Sequence, residues 1–157
     1  NQWQKGRFRT PYLRNALWEI GYGVDKLATA ASWNKVDVCL HDIENSLKEA
    51  MAPFGERLHV FTHLSHIYAT GCSIYTTYLF RLAADPDENL ARWTAMKTAA
   101  SQAIVRHGGT ISHQHGVGKD HQPYLEAEKG KLGIATLEAI ARQYDPVGVM
   151  NPGVLVK

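Results

Sequence analysis

The fold is decided by residues 57–82, which read RLHVFTHLSHIYATGCSIYTTYLFRL. Apolar and polar side chains alternate over 57–67, as in a strand with one buried face. Residues 72–82 are rich in β-branched and aromatic side chains, which favour a second strand, and residues 68–71 form the hairpin loop between them. The stretch predicts an antiparallel pair of strands. On its open face we expect His59, His63 and Tyr75.

The segments on either side of this hairpin complete an α+β pattern. Helices are predicted where apolar residues repeat every three or four positions, with Gly108 and Gly109 ending the last of these before the tail. The predicted order is a helix from Thr10 to Gly21, a strand over 24–30, a helix from Ser32 to Pro53, the hairpin, a helix over 90–107 and a short strand over 110–113. From Val24 onward this reads β-α-β-β-α-β, the ferredoxin-like (split βαβ) arrangement: an antiparallel sheet with its helices on one face.

Residues 114–157 follow as a helical C-terminal tail. The tail contains a glycine-rich loop, two helical stretches at 124–129 and 132–144, and an Asp-Pro break at 145–146. The chain begins with Asn and not Met, and we therefore interpret it as a piece of a longer protein.

Composition excludes several classes of function. The 157 residues hold 17 Lys and Arg against 15 Asp and Glu, without a basic run, so a nucleic-acid surface is not expected. No apolar stretch approaches the roughly 20 residues of a membrane helix, and no signal-peptide pattern is present. A cytoplasmic protein without a transmembrane segment is predicted. Cys39 and Cys72 are expected to be buried thiols, because a single pair is no disulfide framework.

Seven of the eight histidines lie between His59 and His121. The densest polar segment is Ser112-His113-Gln114-His115-Gly116-Val117-Gly118-Lys119, at a strand end. Imidazoles at i and i+2 of an extended chain point the same way and can reach one ligand, while the glycines allow close approach of a cofactor. The alternative is a surface loop with incidental histidines. The G-x-G spacing lacks a third glycine, so a dinucleotide fingerprint is not predicted.

Other candidate sites depend on fewer residues. His59, His63, His66, His113 and His115 suggest a metal centre by their number, but no carboxylate lies among them, so no metal is predicted. Tyr75 is a candidate acid or base if it lies beside the histidine loop, and is otherwise a packed aromatic. Arg14 could bind a carboxylate or phosphate through two parallel hydrogen bonds, or be a solvated helix residue.

Four ordered motifs carry a resemblance to a known family. Together they are similar to the C-terminal part of the FAD-linked oxidases of the vanillyl-alcohol oxidase type, especially their alkyldihydroxyacetonephosphate synthase branch. The motifs are residues 7–15, 63–75, 108–119 and 145–153.

The resemblance implies a domain organisation. In that family the N-terminal half binds FAD, and the open face of a cap-domain sheet covers the flavin ring. Residues 1–113 would then be part of the cap domain and residues 114–157 the tail that returns to the flavin. The FAD-binding domain would be absent from this chain, so the fragment alone is expected to be inactive.

The resemblance also implies residue roles. Tyr75, His113 and His115 would be catalytic, and Arg14 would bind the substrate. The residues implied to contact the cofactor are Gln114, Gly116, Gly118, Lys119 and Asn151. The synthase branch has three consecutive histidines where this chain has His113, Gln114 and His115, so its middle histidine is replaced by an amide that cannot take up a proton at neutral pH.

Two alternatives remain beside the synthase-like interpretation. The related branch of FAD-dependent D-2-hydroxy acid dehydrogenases shares the His-Gly-x-Gly pattern at 115–118 and a histidine at His63. In that branch a glutamate and a histidine stand where this chain has Gln114 and Tyr75, and both changes remove metal ligands. The second alternative is a ferredoxin-like interaction domain without enzymatic activity. A small anionic substrate is the expected partner, with a homodimer allowed.

Overall fold

The computed structural model describes residues 2–156, apart from the side chains of residues 3, 10 and 11. From Thr10 to His107 the helices and strands follow the order predicted from the sequence, and a short helix that was not predicted precedes them. The helices are α1 (Gln2–Gly6), α2 (Thr10–Glu19), α3 (Trp33–Met51), α4 (Pro86–His107) and α5 (Gln122–Tyr144); the strands are β1 (Tyr22–Ser32), β2 (Leu58–Ile67) and β3 (Gly71–Arg81). Single turns of 3₁₀ helix occupy Arg7–Arg9 and Ala52–Phe54.

The three strands form one antiparallel sheet in the order β1-β3-β2. The hairpin predicted from residues 57–82 is the β2–β3 pair, with a bulge between Ser65 and Ile67. β3 begins at Gly71, where a Cβ atom would lie 2.0 Å from the backbone oxygen of Ala31. Only glycine fits this close approach of β3 to the end of β1.

The core lies between one face of this sheet and the helices α3 and α4. Alternate residues of the central strand point into it, because side chains alternate across a strand. From β3 these are Cys72, Ile74, Thr76, Tyr78 and Phe80, all at most 6% exposed. α3 and α4 complete the same cluster with Cys39, Ile43, Leu47, Met51, Met96, Ala100 and Ile104. These helices leave the other sheet face open. The α+β fold class is therefore confirmed, with α3 and α4 on one face of the sheet.

A charged residue ties the core face of β1 to α4. Oδ2 of Asp25 accepts hydrogen bonds from the Tyr78 hydroxyl at 2.9 Å and from the indole N–H of Trp93 at 2.8 Å. Nζ of Lys97 lies 2.9 Å from the same oxygen. Burial acts to raise the pKa of Asp25, but Lys97 and the other donors outweigh it and the pKa is lowered. Asp25 is therefore the ionised centre of a bridge between sheet and helix.

The structure corrects one detail of the sequence prediction, the short fourth strand. Residues 110–113 are not a regular fourth strand, although the backbone N–H groups of Thr110 and His113 donate to Ala30 O and Ala28 O of β1 at 3.1 and 2.9 Å. The two helical stretches predicted for the tail are present as the two parts of α5, on either side of Gly130, whose backbone is not helical (φ 69°, ψ 166°). Both cysteines are free and buried, as predicted, and burial raises the pKa of the Cys39 thiol to about 11.

Candidate functional site

Tyr75 stands at the centre of the open sheet face. In the strand register it lies opposite Ala28 of β1 and His63 of β2. The rings of Tyr75 and His63 are 4.9 Å apart between centroids. Because the central strand has a neighbour on each side, the position of the Tyr75 ring is fixed by the sheet and not by a loop.

Residues 110–119, called the histidine segment below, run along the free edge of β1 and reach the open sheet face. Besides the two backbone hydrogen bonds to β1, the Thr29 hydroxyl donates to Thr110 O at 2.7 Å. Further on, the His115 ring meets Tyr75 edge-on, with 5.7 Å between the centroids. Tyr75 therefore lies between His63 and His115, and the histidine loop reaches Tyr75 through the His115 ring.

A second polar group lies where the hairpin loop meets the same segment. The Tyr68 hydroxyl is 2.9 Å from Nε2 of His113, and the amide nitrogen of Gln114 is 3.2 Å from Nε2 of His66. His66 and Gln114 both have positive φ, 24° and 65°, although neither is glycine. Such backbone conformations persist only where the surroundings hold them, and they are concentrated at functional sites.

His66 and Tyr68 were not among the site residues predicted from the sequence. In the sequence, His66 is only a candidate metal ligand and Tyr68 is only part of the predicted hairpin loop. The feature that places both residues in the site is the bulge after Ser65. It interrupts the alternation of β2 and turns the His66 side chain toward Ser73 and the histidine segment. A break in a period-2 pattern just before a turn is compatible with a bulge, but it does not reveal which distant residue the side chain meets.

The surroundings of His115 favour its neutral form. Partial burial lowers the pKa of His115, and the positive charges of Lys97 and Lys26 lower it further, with a smaller contribution from His121; Asp25 opposes them. An imidazole with a lowered pKa is uncharged at neutral pH and can accept a proton. The arrangement therefore offers a base and a phenol side by side on an accessible surface.

The remaining predicted residues lie around this group. Gly116 and Gly118 have positive φ, 77° and 58°, and nothing lies within 4 Å of the position that a Cβ would take at either. Lys119 and Asn151 are exposed. Arg14 is exposed on α2, where its guanidinium lies 5.6 Å from the ring centroid of Trp18.

The structure thus brings Tyr75 together with His115, and places His113 and Gln114 in the second polar group beside Tyr68 and His66. Among residues 2–156, no hydrogen bond, ion pair or ring contact connects Arg14 or Asn151 with these residues. The described part of the chain also contains no group of three or more His, Cys, Asp or Glu residues that could hold a metal ion. Acid–base chemistry is what the grouped side chains can perform.

Comparisons with known proteins agree with this architecture. Residues 1–155 match the family described as FAD linked oxidases, C-terminal domain. The alkyldihydroxyacetonephosphate synthase of Trypanosoma brucei brucei is 28% identical over 157 residues, which are 99% of this chain and 25% of that protein. The D-2-hydroxyglutarate dehydrogenase of Stutzerimonas stutzeri (strain A1501) is 26% identical over 141 residues, 87% of this chain and 30% of that protein.

A solved structure shows the same fold. A crystal structure of alkyldihydroxyacetonephosphate synthase superposes with a TM-score of 0.66 at 20% identity, covering 96% of this chain and 24% of that one. This chain therefore spans about a quarter of the length of the synthases it matches. Since the family match extends over almost all of its residues, the chain belongs to the FAD-linked oxidases, as their C-terminal domain.

Proposed function

We propose that this chain is the cap and tail of an FAD-dependent enzyme whose reaction resembles that of the alkyldihydroxyacetonephosphate synthases. The observation that carries the proposal is the position of Tyr75 between His63 and His115 on an open sheet face. An accessible face with a phenol and a neutral imidazole at its centre is suited to proton transfer on a bound substrate. FAD would be bound mainly by an N-terminal half outside this chain.

The residues around Tyr75 fit a planar cofactor. At Gly116 and Gly118 the space that a side chain would fill is open, so the backbone can approach a ring closely. Gln114 adds an amide that can donate and accept hydrogen bonds. We propose that these residues, with Lys119 and Asn151, contact the flavin. When bound, FAD would supply an electrophilic ring to the synthase-like reaction, which is redox-neutral overall, and a hydride acceptor to the hydroxy-acid alternative.

Proton handling is assigned to the chain's own side chains. His115, whose pKa is lowered, would accept a proton from the substrate, and the Tyr75 hydroxyl would donate or accept one at the neighbouring atom. His113, hydrogen-bonded to the Tyr68 hydroxyl, would be the second histidine that transfers a substrate proton. Gln114 would orient the flavin by hydrogen bonds and would not transfer a proton, because a side-chain amide does not titrate at neutral pH.

An anionic group of the substrate is assigned to Arg14. Its guanidinium is exposed, stacks over Trp18, and forms no ion pair with any residue in the range 2–156. A guanidinium in this state keeps all its N–H donors free for a carboxylate or phosphate, which it can bind through two parallel hydrogen bonds. The substrate would therefore span from α2 to the histidine segment.

A second candidate function is oxidation of a D-2-hydroxy acid. The similarity to a D-2-hydroxyglutarate dehydrogenase over 141 residues favours it. Gln114 and Tyr75 argue against a metal-dependent version, because neither supplies the carboxylate or imidazole of a metal site. An interaction domain without activity is not favoured, because the family match covers residues 1–155.

One experiment separates these functions. The full-length protein would be purified with its flavin and assayed for formation of alkyldihydroxyacetonephosphate, and in parallel for flavin bleaching by D-2-hydroxyglutarate. The proposal expects product only in the first assay. Turnover only of the hydroxy acid would move the assignment to the second candidate. A full-length protein that holds no flavin would contradict both.

Two expectations about cellular context stay predictions. The described residues contain no helix long and apolar enough to cross a membrane. The cytoplasmic location and the homodimer are proposed from the sequence alone.

A further inference from the structure

The histidine segment lies between β1 on one side and a single carboxylate on the other. The Thr110 N–H bonds to β1, and the N–H of the next residue, Ile111, points the opposite way, as neighbouring amides of an extended chain do. That N–H donates to Oε2 of Glu128 at 2.8 Å. Glu128 thus occupies the place where a further strand would otherwise accept the hydrogen bond.

Glu128 holds the neighbouring residue as well. The Thr110 hydroxyl lies 3.2 Å from both carboxylate oxygens, and Nζ of Lys129 lies 2.8 Å from Oε1. Burial acts to raise the pKa of Glu128, but Lys129 and the Ile111 N–H outweigh it and the pKa is lowered. The side chain is 24% exposed. An ionised, largely covered carboxylate with several donors makes strong, directional hydrogen bonds.

The helix that carries Glu128 is itself fixed in place. Leu125, three residues earlier and hence on the same side of α5, is 2% exposed and belongs to the core. Gly130 breaks the helix two residues after Glu128, so the segment 122–129 ends there and the rest of α5 takes a different direction. The first part of α5 therefore presents Glu128 to the histidine segment from an anchored position.

We propose that Glu128 is a positioning residue for the site, because its carboxylate fixes residues 110–113 against β1 and so sets where His113 and His115 lie relative to Tyr75. This inference rests on the proposed function. Glu128 touches neither Tyr75 nor the histidines, and acts through the backbone of the segment that bears them. Loss of its hydrogen bonds should misplace the imidazoles without unfolding the core, because the Ile111 side chain stays packed in the core and most core residues come from β3, α3 and α4.

The test uses the full-length enzyme and two kinds of readout. Glu128→Ala, Glu128→Gln and the control Glu126→Ala, at an exposed position of the same helical segment, would be compared with the parent. Hydrogen–deuterium exchange of a peptide covering residues 108–116 measures protection of the Ile111 N–H without reference to activity. Steady-state kinetics measure kcat and KM for the substrate that the parent turns over.

For Glu128→Ala we expect faster exchange in residues 108–116, unchanged exchange in β3, and kcat lowered about 10-fold or more at nearly constant KM and melting temperature. Glu128→Gln keeps one acceptor oxygen and should lose less, and Glu126→Ala should match the parent. Unchanged exchange in Glu128→Ala, or faster exchange with parental kcat, would overturn the inference. If the parent itself turned over no substrate, the proposed function would fail, and the positioning role with it, while the exchange data would still show whether Glu128 holds the segment.

Discussion

Replacing Asp25 by alanine should destabilise the domain, because the Asp25 carboxylate bridges β1 and α4. The carboxylate accepts hydrogen bonds from the Tyr78 hydroxyl and the Trp93 indole and pairs with Lys97. Tyr78 is fully buried, so in Asp25→Ala its hydroxyl would be left without a partner, which costs about 1–3 kcal/mol. Lys97, 16% exposed, would lose its counter-ion.

Together these losses predict a decrease in the free energy of unfolding of about 3 kcal/mol for Asp25→Ala, or roughly 6–12 °C in Tm for a domain of this size. The assay is urea denaturation of the chain followed by circular dichroism. Asp37→Ala is the matched control, because the Asp37 side chain is 88% exposed and, among residues 2–156, forms an ion pair only with exposed His41. An exposed pair of this kind contributes about 0–1 kcal/mol.

The double variant Asp25→Ala with Tyr78→Phe tests the cause. If part of the loss comes from the stranded hydroxyl, adding Tyr78→Phe should cost less than it does in the parent, with a coupling of about 1 kcal/mol. Because the pKa of Asp25 is lowered in the folded state, its stabilisation is present above its unfolded pKa of about 3.9 and is lost as the pH falls through the folded value. An Asp25→Ala loss no larger than that of Asp37→Ala at pH 7 would refute the reasoning.

Three further predictions concern the site and the sheet. In the full-length enzyme, kcat should rise with pH through a midpoint below the ordinary histidine pKa of about 6.5, because burial and Lys97 lower the pKa of His115. His115→Asn should remove this pH dependence. A midpoint above pH 7 would contradict the assignment of His115 as the base. Elemental analysis after dialysis should find no stoichiometric zinc or manganese, and one retained equivalent would favour the hydroxy-acid alternative. Gly71→Ala should lower the free energy of unfolding by about 2 kcal/mol or more in urea denaturation, because its Cβ would lie 2.0 Å from Ala31 O, and a parental value would mean that β3 does not pass so close to β1.

The sheet and its open face could be predicted because they depend on local pattern. The alternation over β2 predicts His59 and His63 on one face with Tyr75, and the strand register shows His63 directly beside Tyr75. Gly108 ends α4 in the left-handed conformation (φ 66°), which glycine adopts without strain. Hydrophobic periodicity and helix-ending residues carry this information in the sequence itself.

The hydrogen bonds that fix the site could not be predicted, because they join residues far apart in the chain. Asp25 reads as one polar residue in a strand, yet its partners Tyr78 and Trp93 lie 53 and 68 positions away. Residues 110–113 look like a strand, but their outer edge meets the Glu128 carboxylate and no further strand, so no regular ladder forms. Local propensity does not tell which side chain will replace a missing strand.

The central claim is that the Tyr75 hydroxyl transfers a proton beside the histidine segment. The most direct test is single-turnover flavin bleaching by full-length Tyr75→Phe, which removes one oxygen and keeps the ring between His63 and His115. His59→Asn, an exposed position of β2 whose ring neighbour is Phe61, is the control. We expect the rate of flavin bleaching to be about 10²-fold lower for Tyr75→Phe and parental for His59→Asn. A Tyr75→Phe rate within a few-fold of the parent would contradict the central claim and leave Tyr75 as a packed aromatic.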